Sequence, residues 1–191
     1  GGLAMYYKNV YKTDADGNPL QEIDWDKAMA DPANNMYAFN NTRLKCVQTG
    51  TDGNGVGAAF AEPVALAAVQ QALYVCDAAG SAIRSVNVRT GAVSTLVGQD
   101  PWQFGHADGA RTEAKLQQPQ AIALDPDAPL LWIADGGNDA LRCLRLGGGE
   151  LTTVQLPQRL HGAAGLAVGG GAIWIADTDA HAVLRFEPRT G

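Results

Sequence analysis

An all-β chain made of repeated four-stranded units is the fold this sequence predicts. Three observations carry the prediction. An apolar strand ending in Asp occurs three times, as Leu73-Tyr-Val-Cys-Asp77, Leu131-Trp-Ile-Ala-Asp135 and Ile173-Trp-Ile-Ala-Asp177. After a short turn each is followed by a second strand, Ala82-Ile-Arg84, Ala140-Leu-Arg142 or Ala182-Val-Leu184. No stretch of ten residues after Phe60 has a clean helical period. The three Asp residues stand 58 and 42 positions apart, and four short strands repeating at that interval make a propeller blade.

The elements follow in chain order. Residues 1–55 read as an N-terminal segment and 56–191 as blades, at about 60–98, 116–156 and 160–191. In the N-terminal segment, Tyr6-Tyr-Lys-Asn-Val-Tyr-Lys-Thr13 and Leu20-Gln-Glu-Ile23 predict a hairpin closed by a long polar turn. Asp24 is placed to cap a short helix over 24–30. A second hairpin is predicted from 36–39 and 43–48 around Asn40-Asn41, and 43–48 sits where an outer strand belongs.

Each blade then repeats one order of strands. The innermost is predicted at 64–69, 120–124 and 164–168, the next at 72–76, 131–134 and 172–176. The third is predicted at 82–88, 140–146 and 182–187, and an outer strand at 93–97 and 151–156. Alternating apolar residues and β-branched or aromatic content set the strands. Arg89-Thr-Gly91, Asp125-Pro126 and Gly147-Gly-Gly149 set the turns. A matched lead-in precedes each blade: Phe60-Ala-Glu-Pro63, Leu116-Gln-Gln-Pro119 and Leu160-His-Gly-Ala163.

These residues carry a family resemblance. Pro119-x-Ala-Ile-Ala, followed by Leu131-Trp-Ile-Ala-Asp135-x-x-x-Asp139-x-Leu-Arg142, resembles the NHL repeat of β-propellers. Val93-Ser-Thr-Leu-Val-Gly98, Phe104-Gly-His-Ala-Asp108-Gly and Ala114-Lys-Leu-Gln-Gln-Pro119 are similar to the propeller of proteins that join a thioredoxin-like domain to NHL repeats. The sequence shows no such domain and no Cys-x-x-Cys. It departs from the repeat at Ala163, where the other units have Pro, and at Leu184, where they have Arg. The resemblance implies a ring of commonly six blades, so three blades predict a partial propeller. Arg189-Thr-Gly191 matches Arg89-Thr-Gly91, but no outer strand follows it. Both ends read as cut; the alternatives are a further blade within residues 1–42, and self-association through open blade edges with two chains supplying three blades each.

Composition narrows the function. Gly is 23 of 191 residues, which suits many tight turns. Net charge is −6, with 5 basic and 7 acidic residues up to position 55 and 9 and 13 beyond it. Neither part offers the basic face that nucleic acid or an anionic membrane requires. No apolar run approaches the roughly 20 residues of a membrane-spanning helix. The opening Gly-Gly-Leu-Ala, without a Met, is what a processed or incomplete N-terminus shows. No compartment is indicated. Cys46, Cys76 and Cys143 are odd in number and read as reduced thiols.

Candidate chemistry is sparse. Asp77, Asp135 and Asp177 each end a strand at a turn, where a carboxylate accepts backbone amides. Arg84 and Arg142 lie seven residues on, across the hairpin, and predict ion pairs with the first two. All five read as structural turn residues. Asp14, Asp16, Asn18 and Asp24 fail the calcium-loop spacing, since Gly17 precedes Asn18 and no Glu stands twelfth. His106, His161 and His181 are scattered, so neither a metal set nor a catalytic set is assembled and no cofactor is implied. The individual feature is the loop 99–117, with Trp102, Phe104, His106, Asp108 and Arg111, an insertion between one pair of units whose aromatics either pack over the blade edge or are offered to a protein partner, and these five are the candidate partner-binding residues. The expected function is a non-catalytic binding or scaffold propeller. The alternative is a metal-dependent lyase or hydrolase with a site at the central channel, where His161 would face.

Overall fold

The computed structural model describes Tyr11–Thr13, Ala15, Pro19–Ile23, 50–98 and 103–188. The predicted elements at 24–30, 36–39 and 43–48, together with Trp102 and Arg189-Thr-Gly191, lie outside the described residues. The chain divides into two compact units, Gly1–Cys46 and Val47–Gly191. In the first, β1 (Tyr11–Thr13) and β2 (Pro19–Ile23) pair antiparallel, with Tyr11 opposite Ile23 and Thr13 opposite Pro19.

The second unit holds three antiparallel sheets. The first comprises β3 (Gly53–Asn54), β4 (Pro63–Val69), β5 (Ala72–Asp77), β6 (Ala82–Asn87) and β7 (Ala92–Val97). Its spatial order is β3-β7-β6-β5-β4. The second comprises β8 (Gly109–Ala110), β9 (Pro119–Leu124), β10 (Leu130–Asp135), β11 (Ala140–Arg145) and β12 (Glu150–Thr153), in the order β8-β12-β11-β10-β9. The third has β13 (Ala163–Gly169), β14 (Ala172–Asp177) and β15 (Ala182–Phe186), in chain order. The first two blades therefore carry a fifth, two-residue strand outside the fourth. Residues 50–55, assigned from sequence to the N-terminal segment, belong with the first blade, because β3 pairs with β7.

Register decides what each blade face offers. Tyr74 pairs with Ser85 and Cys76 with Ile83, so these four share one face; Val75 and Arg84 share the other. The same alternation puts Trp132, Ala134 and Leu141 on one face of the second blade and Leu131, Ile133 and Leu144 on its reverse. Two cores result, each between neighbouring blades. Cys76, Ile83 and Val97 meet Ile122, Leu131, Ile133 and Leu144. Trp132, Ala134 and Leu141 meet Ile173 and Ile175. A fully buried Leu or Ile contributes about 1.5–3 kcal/mol, so these cores hold the blades together.

Trp132 and Trp174 occupy equivalent places, yet Trp132 is 5% exposed and Trp174 42%. One residue type at one strand position in two blades predicts that both are largely shielded, and for Trp174 that expectation fails. Trp132 lies under the third blade, while nothing among the described residues is stacked on Trp174 except the Arg185 guanidinium, 5.7 Å from its ring centre.

Candidate functional site

The strand-ending aspartates staple the start of each blade. Asp77 accepts the amides of Ala61 and Glu62, Asp135 that of Gln117, and Asp177 that of His161. These donors lie 15 to 18 residues upstream, not in the Asp's own turn. Each carboxylate thus ties the lead-in of the innermost strand to the second strand.

Arg142 fills the second blade's polar centre. Nη1 donates to Asp135 Oδ2 at 2.8 Å and to the Lys115 carbonyl at 3.1 Å. Nη2 donates to Asp108 Oδ1 at 2.7 Å and to the Ala107 carbonyl at 2.9 Å. Arg84 repeats this around Asp52 at 2.9 Å, the Ala59 carbonyl at 3.1 Å and Asp77 at 3.5 Å, with the Phe60 ring 5.1 Å from its guanidinium carbon. Both Arg side chains and both strand-ending Asp are essentially buried, so these are interior networks and not surface pairs.

Asp108 and Asp52 are the pieces that sequence reading did not pair. Asp108 accepts from the Thr153 amide and hydroxyl, and Asp52 from those of Thr95. Ala107 bridges to Lys115 and Thr51 to Ala59 in the same way. The segment carrying Asp108 is therefore no insertion peculiar to one junction; the first blade has its counterpart. Both begin with an Asp-Gly pair eleven residues ahead of a Pro, Asp52 ahead of Pro63 and Asp108 ahead of Pro119. That shared spacing was the available signal.

The loop residues separate accordingly. Asp108 is committed to Arg142 and Thr153. His106 Nε2 lies 2.9 Å from the Thr153 hydroxyl. Arg111 donates to the Arg145 carbonyl at 3.3 Å and lines a cleft of about 420 Å³ with Tyr74, Ser85, Leu96 and Leu146. Phe104 stands 54% exposed, while Gly105 beside it is held by the Leu116 carbonyl and by Asn138. Trp102 lies outside the described residues.

Burial acts first on Asp52 and Asp108 and pushes their carboxyls up. The hydrogen bonds from Thr95 or Thr153 and the adjoining guanidinium outweigh it and hold both below the ordinary 3.8. A carboxylate depressed on folding adds stability above its unfolded value and loses it as pH falls through the folded one. Acid should therefore release both braces below about pH 4. The Asp52→Asn, Asp108→Asn double variant should show a flatter decline of stability between about pH 4 and 2 than wild type, read from urea midpoints. An unchanged slope would mean that these carboxylates do not govern acid stability.

The two described thiols, Cys76 and Cys143, are poorly placed to act as nucleophiles. Burial, then Asp77 and Asp135, push the Cys76 thiol far up. Burial pushes Cys143 up to about 11. A nucleophilic thiol needs the opposite shift.

The third blade lacks the guanidinium. Leu184 stands where Arg84 and Arg142 stand, and Asp177 Oδ2 is buried without a hydrogen-bond partner. His161 Nδ1 approaches it to 3.8 Å from an exposed side chain. Among the described residues no three His, Cys, Asp or Glu side chains converge as a metal site would require.

The architecture is that of a β-propeller, of which the described blades are an arc. No protein-family profile matches the chain. It is 32% identical over 150 residues to NHL repeat-containing protein 2 of Gallus gallus and 31% identical over 150 residues to that of Homo sapiens. Each match covers 66% of this chain and 21% of the relative. A structural genomics protein of unknown function from Bacteroides thetaiotaomicron shares the fold with a TM-score of 0.53 at 24% identity, over 59% of this chain and 31% of that one. The chain is an NHL-repeat β-propeller, and it spans about a fifth of the curated relatives it matches.

Proposed function

We propose that this propeller is a non-catalytic binding scaffold that takes a protein partner on the loop around Phe104. One observation carries the reading: an aromatic ring more than half exposed, followed in the loop by Gly105 and Asp108, which are tied into the blade. A fixed exposed aromatic loses little entropy on docking, and such residues anchor interfaces. The relatives named for NHL repeats support a binding role in general.

Phe104→Ser should leave the melting temperature nearly unchanged, since exposed substitutions usually shift stability by about 0.5 kcal/mol or less. It should reduce partner recovery from lysate severalfold. A lowered melting temperature with undiminished recovery would assign Phe104 to the fold instead. The metal-dependent lyase or hydrolase reading predicts a thermal shift on adding divalent cations, abolished by His161→Ala.

A further inference from the structure

A cleft opens between the first two blades. It holds about 420 Å³, within the roughly 300–1,000 Å³ of small-molecule sites. Val69 of β4, Tyr74 of β5, Ser85 of β6 and Leu96 of β7 line it from the first blade, and Arg111 and Leu146 from the second. Tyr74, Leu96 and Leu146 also pack against the core between these blades, so the apolar lining is held by that core.

The cleft stands apart from Phe104. The carbonyl of Gly105 accepts from Asn138, just ahead of β11, while Arg111 donates to the carbonyl of Arg145, the last residue of β11. The two features therefore lie at opposite ends of that strand.

Its electrostatics are one-sided. Arg84, Arg142, Arg159 and Arg185 each meet a carboxylate. Arg111 is half-buried and meets none among the described residues. Its Nη2 makes one long bond, at 3.3 Å to the Arg145 carbonyl, and its Nε is buried without a partner. Arg84 and Arg142 also leave Nε unpaired, but carboxylates engage their other nitrogens. The Tyr74 hydroxyl has no hydrogen-bond partner among the described residues either. No Asp or Glu lines the cleft. A second depression, of about 450 Å³ on β10–β12, lacks this imbalance, since Glu150 lines it together with Arg145. A guanidinium partly withdrawn from water gains most from an anion that can accept its hydrogen bonds.

We propose that this cleft binds a small organic carboxylate. The Arg111 guanidinium takes the carboxylate, the Tyr74 hydroxyl donates to it, and the apolar remainder of the molecule lies on Val69, Leu96 and Leu146. Arginine suits this ligand because its planar fork offers parallel donors to two oxygens. An apolar body belongs to the ligand because a bare anion would leave the aliphatic lining in water. The inference goes beyond the loop reading and does not depend on Phe104.

The test is a chemical-shift titration of the full 191-residue chain with hexanoate and phenylbutyrate as probes. Hexanamide serves as the uncharged match and acetate as the match without an apolar body. Both carboxylate probes should shift the amides of Tyr74, Ser85, Leu96 and Leu146 saturably at millimolar concentration. Hexanamide and acetate should each bind roughly tenfold or more weakly than hexanoate. Arg111→Met should lose roughly tenfold or more in affinity for hexanoate, and Arg111→Lys, which keeps the charge without the fork, should fall between. Tyr74→Phe keeps the ring in the core and should lose affinity severalfold. Thermal melts establish that each variant folds. If Arg111→Met does not fold, Arg111→Lys and Tyr74→Phe decide, and affinity undiminished in both overturns the proposal. Undiminished affinity in a folded Arg111→Met overturns it too. So does the absence of a saturable shift with either carboxylate, or hexanamide or acetate binding as tightly as hexanoate. Shifts confined to Cys143 and Thr152 would place binding in the second depression and overturn it as well.

Discussion

Replacing Arg142 with Met should cost about 3–5 kcal/mol of folding stability, the penalty for removing one partner of a buried ion pair. Four acceptors each lose a donor together: Asp135, Asp108 and the carbonyls of Ala107 and Lys115. Asp135 is fully buried and has nowhere to find water. The loss is a large part of the roughly 5–15 kcal/mol that holds a domain folded. Its pH dependence has a definite sign. Burial pushes Asp135 up against the pull of Asn138, Gln117 and Arg142. Without Arg142 that upward shift grows. A carboxyl raised on folding favours the fold at low pH and disfavours it as pH rises through the folded value. The Arg142→Met deficit should therefore narrow as pH is lowered from 7 toward the carboxylate range. Urea midpoints would be compared with Arg145→Met, which alters an exposed guanidinium in the same strand. Equal losses would remove the buried network from any account of blade stability. A double-mutant cycle with Asp135→Asn should show that the two losses overlap, because the residues share one network.

That network shows where sequence reading succeeds and where it stops. Strand positions were legible because the same apolar run ending in Asp recurs in each blade; in β10 both faces are buried between blades, and the run Leu131-Trp-Ile-Ala134 is continuously apolar. The Asp135–Arg142 pair was legible because the hairpin register, with Asp135 opposite Ala140 and Ile133 opposite Arg142, makes the two diagonal neighbours on one face. Its burial was not, since that depends on the preceding blade and on the lead-in that carries Asp108, thirty-four positions away from Arg142. The two-residue strands β3 and β8 were missed because they are too short to show a period. They depend instead on an Asp-Gly pair at fixed distance from a Pro, a pattern visible only when two blades are aligned. Asp108 and His106 were read as residues for a partner because they sit in a long loop. The structure engages both with Thr153 of β12, while Phe104 is a large apolar side chain of the loop left exposed.

The same reasoning separates two tryptophans that the sequence makes identical. Trp132→Ala should cost about 3–5 kcal/mol, the usual loss for deleting a buried aromatic. Its ring lies among Ala134, Leu141, Leu160, Ile173 and Ile175. Its indole nitrogen donates to Asp125 at 3.1 Å. The cavity would open between the second and third blades, where no flexible chain stands ready to fill it. Trp174→Ala should cost about 1–2 kcal/mol in dilute protein, from a partly exposed ring and its stacking under Arg185. Denaturant midpoints of the two variants, taken at low concentration, give the comparison. Trp132→Ala should also raise amide exchange in β13–β15 ahead of β4–β7, because the lost contact is the one that seats the third blade. Equal losses from the two substitutions would mean that stability resides within each sheet and not between sheets. A larger loss for Trp132, with early exchange confined to the third blade, would locate the cohesion of this chain in the stacking of one blade on the next.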